Sequence, residues 1–207
     1  MIRKNPRKSY LRIKIFILLL TINISISSQL LSEKSLDTCK VFKNIESAKQ
    51  NPKAVYILDL SKRKLSSIPK EIVLFENLQV LKLSKNKISE IDSSISFPLL
   101  IQEINLSKNK LELFPTNFFK LKNLKRLILN QNIITNIPDE IIELQNIVYL
   151  DMWSNNLSKV TNNIKFLTKL ETLDLRVIMF SNKEKDRITS LLPNTKVHFS
   201  NSCNCGY

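Results

Sequence analysis

From residue 58 onward, apolar positions along the chain repeat on two scales at once. The short scale is an alternation of apolar and polar residues, as in Leu81-Lys82-Leu83, which sends every second side chain to the same side and predicts a strand. The long scale is the recurrence of that alternation every 23 residues: blocks begin at Leu58, Leu81, Ile104, Leu127, Leu150 and Leu173, without an insertion. Between the alternating stretches lie segments such as "IPKEIVLFENL", "FPTNFFKLKNL" and "IPDEIIELQNI". Their apolar residues fall three and four apart and predict short helical turns, with Pro69, Pro115 and Pro138 marking where each begins. One such strand-and-return unit cannot bury its own apolar face, so the fixed period predicts units stacked around a shared core.

The blocks read "LQVLKLSKNKISEIDSSI", "LIQEINLSKNKLELFPTNF", "LKRLILNQNIITNIPDEI" and "IVYLDMWSNNLSKVTNNI", each following L-x-x-L-x-L-x-x-N-x-L, the pattern of leucine-rich repeats. The predicted fold is therefore an α/β solenoid: a horseshoe arc of six 23-residue repeats, with a parallel β-sheet on the concave face, short helical or 3-10 turns on the convex face, and a helical cap at each end. Asn86, Asn109, Asn132 and Asn155 are expected to point inward after each strand and satisfy backbone groups of the turn and of the neighbouring repeat. Glycine occurs once, at Gly206, so asparagine is the expected occupant of left-handed turn positions. Arg63 and Ile178 stand where the asparagine series would continue, as terminal repeats commonly depart from the pattern.

Before the repeats, Val41, Ile45 and Ala48 line one face of an expected short helix ending near Pro52, an N-terminal cap. After them, "SNKEKDRITSLLPNTKVHF" predicts a helix starting at Asn182 and burying Ile188, Leu191 and Leu192, a break at Pro193, and a strand with Val197 and Phe199. The N-terminal "MIRKNPRKSYLRIKIFILLLTINISISS" has a basic start and an apolar stretch from Ile15 to Ile26, too short for a good membrane span. Ser25 and Ser27 place signal-peptide cleavage after Ser27. An uncleaved anchor is the alternative; a lipidation site fits poorly, since Cys39 lies well past the apolar core behind "LDT". The expected division is a signal peptide over 1–27, an N-terminal segment and cap over 28–54, repeats over 55–180, a C-terminal cap over 181–199 and a cysteine-containing tail over 200–207. Export follows, to the medium or the cell surface, with no transmembrane span after cleavage. Of the formal charge of +14, six positive charges lie in the first fourteen residues, which leaves +8 on the rest.

The repeat blocks, the "NPKAVYILDL" stretch and the "EKDRITSLLPNTKVHF" stretch resemble the short exported leucine-rich-repeat proteins of spirochaete bacteria, over roughly residues 37 to 199. The resemblance implies extracellular or cell-surface binding and names no ligand.

Outward strand residues would form three columns on the concave face. The first runs Ile57, Val80, Glu103, Arg126, Tyr149, Thr172; the second Asp59, Lys82, Asn105, Ile128, Asp151, Asp174; the third Ser61, Ser84, Ser107, Asn130, Trp153, Arg176. The later repeats concentrate Arg126, Ile128, Tyr149, Asp151, Trp153, Asp174 and Arg176. They include the only tryptophan and the residue types enriched where binding energy concentrates, so this cluster is the expected partner site, with a protein as the expected partner. At the strand exits Lys62, Lys85 and Lys108, with Lys64, Lys87 and Lys110 two positions on, form a basic stripe that is either a solvated face or a site for an anionic glycan. No aromatics interleave these lysines, which argues against nucleic acid.

Cys39 is separated from Cys203 and Cys205 by six repeats, about 25 Å at one strand spacing each, against the roughly 7 Å between Cα atoms that a disulfide needs. His198, Cys203 and Cys205 are soft ligand types for zinc, but their spacing matches no standard zinc motif, so no metal or cofactor is expected. With one histidine, no glycine-rich phosphate loop and no nucleophile elbow, the chain reads as a binding module and not an enzyme. A self-associating structural surface protein is the alternative of another class.

Overall fold

The computed structural model describes residues 29–200. Eight strands form one parallel sheet in chain order: β1 (Val41–Phe42), β2 (Ile57–Asp59), β3 (Val80–Lys82), β4 (Glu103–Asn105), β5 (Arg126–Ile128), β6 (Tyr149–Asp151), β7 (Thr172–Asp174) and β8 (Lys196–His198). From β2 to β7 each residue pairs with the one 23 positions later, Leu58 with Leu81, Leu81 with Ile104 and so on, so the period of the sequence is the register of the sheet. The central residue of each of these six strands is fully buried, and the six belong to one continuous apolar core that runs from Phe42 to Leu192. The result is the leucine-rich-repeat solenoid expected from the pattern.

The convex return is built from 3-10 turns at Lys70–Leu74, Thr116–Lys120, Asp139–Glu143 and Asn162–Phe166. Backbone bonds run in steps of three: Ile72 N–H to Pro69 O, Phe75 N–H to Ile72 O and Leu78 N–H to Phe75 O, at 3.3, 3.2 and 2.9 Å. A three-residue helix eclipses its side chains. Ile72, Phe75 and Leu78 therefore enter the core in a single file, all with no exposed surface. The block between β3 and β4 has no such turn. There the same three-step series falls on Asp92, Ile95, Pro98 and Ile101, and Pro98 lacks the N–H that would bond the carbonyl of Ile95. That carbonyl accepts instead from the side-chain amide of Asn117 in the next repeat, at 3.1 Å.

Left-handed backbone recurs once per repeat at the strand exit, at Lys62, Lys85, Lys108, Gln131, Ser154 and Val177, with Lys64 as a second position in the first repeat. None is asparagine, which corrects the expectation drawn from the lack of glycine. The asparagines sit one residue later, where their amides are committed to the interior. The left-handed residue turns its own N–H sideways instead: Lys85 donates to Ser107 O at 2.9 Å and Gln131 to Trp153 O at 2.8 Å.

The ends differ from the repeats. The expected N-terminal helix through Val41 is shorter: α2 spans Ile45–Lys49, capped by the Asn44 side chain, while Val41 and Phe42 form β1 against β2. Pairing there covers the sheet edge that β2 would leave open, and alternation sends Phe42 inward and Val41 outward. An earlier single-turn helix, α1 (Glu33–Leu36), lies ahead of β1. At the other end α3 (Asn182–Leu191) is capped by Ser181 and buries Ile188, with Leu192 just beyond it. β8 pairs with β7 and holds Val197, while Phe199 follows the strand. No helix among the described residues is long and apolar enough to cross a membrane, and the expected signal peptide lies outside the described residues.

Candidate binding face

The asparagine series anchors the face from behind. Asn132 donates to the carbonyls of Leu106 and Leu129 at 3.0 and 2.8 Å and accepts from the N–H of Leu111 at 2.9 Å, so one buried amide joins two repeats. Asn86 and Asn155 do the same while buried, and Asn109 does so half-buried. The turns after β2 to β6 are thereby fixed, and with them the direction of the outward side chains.

The early end of the concave face is covered by the chain itself. Leu36 of α1 packs on Ile57 and Val80, the first two members of the first column, together with Leu31, Cys39 and Tyr56. Two buried glutamines just ahead of β3 and β4 hold the segment by its backbone. Gln79 accepts from the N–H of Leu31 at 2.8 Å and donates to Gln29 O at 2.7 Å, while Gln102 donates to Leu31 O at 2.8 Å and to the Gln79 side chain at 2.8 Å. Sequence reasoning missed this contact. A glutamine at the residue before two consecutive strands, Gln79 and Gln102, was the visible signal, but the bonded segment belongs to no repeat.

The later end is open. Arg126, Ile128, Tyr149 and Trp153 are half-buried and Arg176 is exposed. Register places Arg126 beside Tyr149 and Ile128 beside Asp151. The Arg126 guanidinium stacks 4.4 Å from the centre of the Tyr149 ring while its Nε donates to Glu103 at 3.2 Å, so a cation bridges an acid and an aromatic along the first column.

Asp151 and Asp174 stand side by side in register but are nearly buried, 7% and 4% exposed. Each carboxylate closes the turn that follows its own strand. Asp151 accepts from Trp153 N–H at 3.0 Å and from the Asn130 amide at 2.5 Å. Asp174 accepts from Arg176 N–H at 3.1 Å and is gripped by the Arg176 guanidinium, whose closest contact is 2.6 Å. Asp59 and Asn105 make the same turn-closing bond to Ser61 and Ser107. The two acids thus shape the cluster more than they face outward from it. Burial pushes the Asp151 carboxyl above the usual range, opposed by its bonds from Asn130 and Trp153 and reinforced by the neighbouring Asp174. The Tyr149 hydroxyl is raised as well, by burial first and then by Asp151 and Asp174, and Arg176 is raised by its bonds to Asp174.

The structure brings the seven residues of the expected cluster onto adjacent strands β5, β6 and β7 or the residues just after them. The six lysines of the stripe are all exposed at the opposite, early end. His198 lies half-buried on β8, and Cys203 and Cys205 lie outside the described residues. Cys39 is half-buried, with its thiol donating to Ser35 O at 3.4 Å. Chemically, the open face offers aromatic and aliphatic surface with fixed cations at its border, while its two carboxylates already hold their hydrogen-bond donors.

Two stretches, residues 100–157 and 77–98, match family models described as leucine-rich repeat. No curated protein matches the chain. Similar solved structures include a leucine-rich-repeat protein of Leptospira interrogans, 27% identical, with a TM-score of 0.61, covering 77% of this chain and 48% of that one. InlP of Listeria monocytogenes is 26% identical with a TM-score of 0.57, covering 68% and 38%. An internalin, inlF, of Listeria monocytogenes is 17% identical with a TM-score of 0.54, covering 77% and 53%, a likeness of fold alone. This chain spans about half or less of the length of each.

Proposed function

We propose that this chain is an exported, non-enzymatic binding module that recognises a protein through the later half of its concave sheet. The observation that carries the reading is the open cluster of Arg126, Ile128, Tyr149 and Trp153 on β5, β6 and the turn after β6, a turn closed by Asp151 and Asn130, while the apolar start of the same face is already occupied by Leu31 and Leu36. Rigid aromatics next to arginine supply large contact area at low entropic cost, the character of residues that dominate interface energies. Asp151 and Asp174 are each held by several donors, which favours binding over acid–base chemistry on an open face. Export rests on the basic and then apolar run over residues 1–27. Location on the cell surface or in the medium agrees equally with the sequence.

The test is an array of extracellular and cell-surface proteins probed with the wild-type protein and with the Tyr149→Ala, Trp153→Ala double variant. The reading expects at least one partner that binds the wild type and loses about a hundredfold in affinity with the variant, taking roughly 2 kcal/mol or less per aromatic. Partners retained equally by both proteins contradict it. Self-association, the competing role, predicts concentration-dependent light scattering from the wild type alone.

A further inference from the structure

We propose that the strand-exit edge of the first three repeats is a binding site for a linear sulfated polysaccharide, on a surface separate from the concave cluster. Lys62, Lys85 and Lys108 occupy one left-handed position in three successive repeats, and Lys64, Lys87 and Lys110 follow two residues later. All six are exposed, and among the described residues none forms an ion pair with a carboxylate. Sheet register stacks each column at about 4.8 Å per step, so the six ammonium groups form a two-row track roughly 10 Å long at its base.

The fold itself supplies the control. In the last three repeats the same left-handed position holds Gln131, Ser154 and Val177 with the same backbone, φ 52°, 54° and 59° against 56° to 59° for the lysines. The turn therefore does not call for lysine, and lysine has no special tolerance of this conformation. Solubility does not require that six like charges be stacked on neighbouring strands, where they repel one another. A track of point charges without partners attracts an anion whose charges also repeat along a line. Flexible ammonium groups act as compact point charges that can each follow a sulfate along an extended chain.

Two other polyanions fit less well. Single-stranded nucleic acid is held by aromatic platforms, and the track carries none. Anionic membranes are held by apolar side chains that insert below basic ones, and no exposed apolar residue stands among these six positions. The row just inside the track begins with Ser61 and Ser84, small hydroxyls bonded to each other at 3.0 Å, which leave the lysine stems unobstructed for an extended chain.

The experiment measures binding of a heparin-derived octasaccharide to the full-length protein by calorimetry at low and moderate salt. Lys62→Gln, Lys85→Gln and Lys108→Gln are combined in one variant. Glutamine already occupies this turn position at Gln131, and circular dichroism checks the fold. A second variant changes Lys64, Lys87 and Lys110 to Gln, and a charge-matched control changes Lys120, Lys165 and Lys183 instead. The expected result is wild-type binding that weakens steeply with salt and falls by about a hundredfold in each ladder variant, roughly fivefold per lysine, with the control within about twofold of wild type. Equal losses in the control, or full affinity in both ladder variants, overturn the proposal. So does tighter binding to phosphatidylserine vesicles or to oligo(dT) than to the octasaccharide, which would assign the track to a membrane or to nucleic acid.

Discussion

The carboxylate of Asp151 accepts the backbone N–H of Trp153 at 3.0 Å, so the only tryptophan of the chain stands on a turn closed by a nearly buried acid. The charge of that acid is expensive where it sits. Burial raises its pKa, and because the folded-state value is then the higher one, the native protein holds a proton that the unfolded chain has already released. The carboxylate lowers stability at neutral pH, and the deficit disappears as pH falls through the folded-state value towards the unfolded one. Asp151→Asn keeps an acceptor for Trp153 and lets the Asn130 amide turn to meet its new neighbour. The variant is expected to be more stable than wild type at pH 7, with the difference narrowing towards pH 4 in urea unfolding. A variant less stable than wild type at pH 7, with the deficit shrinking towards pH 4, would show that the charge itself is needed.

The asparagine series predicts a graded loss. Asn132→Ala removes two bonds to buried carbonyls and leaves the N–H of Leu111 without its partner, at a cost of about 2–4 kcal/mol. Asn109→Ala, at a half-buried position where water can take the place of the amide, is expected to cost less. Chemical denaturation of the two variants measures the order, and equal losses would contradict it.

Val177 is a β-branched residue in left-handed backbone, with φ 59° and 57% of its surface exposed. Such a residue is a steric outlier there, and little burial compensates it. Val177→Asn is expected to stabilise the protein by about 1 kcal/mol, read as a rise in melting temperature. A fall would mean that the valine side chain makes a contact worth more than the strain.

Removing the apolar anchor of the N-terminal segment tests whether the segment closes the early concave face. Leu36→Asp is expected to lose about 2 kcal/mol of burial, to increase exchange of the Leu31 amide now held by Gln79, and to increase binding of a hydrophobic dye through the uncovered Ile57 and Val80. Unchanged exchange at Leu31 would show that Gln79 and Gln102 hold the segment without Leu36.

What the sequence disclosed and what it hid divide along one line. Most of what recurs at 23 residues was legible: the strands, their register, the inward leucines and the inward asparagines, because stacking makes each position answer to the same neighbours in every repeat. Contacts that occur once were not. Val41 looks like part of a helical face with Ile45 and Ala48, and only the open edge of β2 makes it and Phe42 a strand. Gln79 and Gln102 are buried because the segment around Leu31 lies across them, a contact with no counterpart in the other repeats. Left-handed backbone at Lys85, Gln131 and Val177 leaves no compositional mark, since the chain accepts the steric cost in residues that normally avoid it. Asp151 and Asp174 stand on β6 and β7, yet they are nearly buried because Asn130, Trp153 and Arg176 close around them, which their position alone does not tell.

Trp153 provides the most direct check on the central claim, because as the only tryptophan it makes the emission of the whole protein report on the proposed partner site. A partner found on the array is titrated into the wild-type protein while emission and its quenching by acrylamide are followed. The account predicts a blue shift and protection from quencher that saturate with the binding curve, as a half-buried indole is covered. Saturable binding that leaves both the emission maximum and the quenching unchanged would place the partner elsewhere and contradict the account.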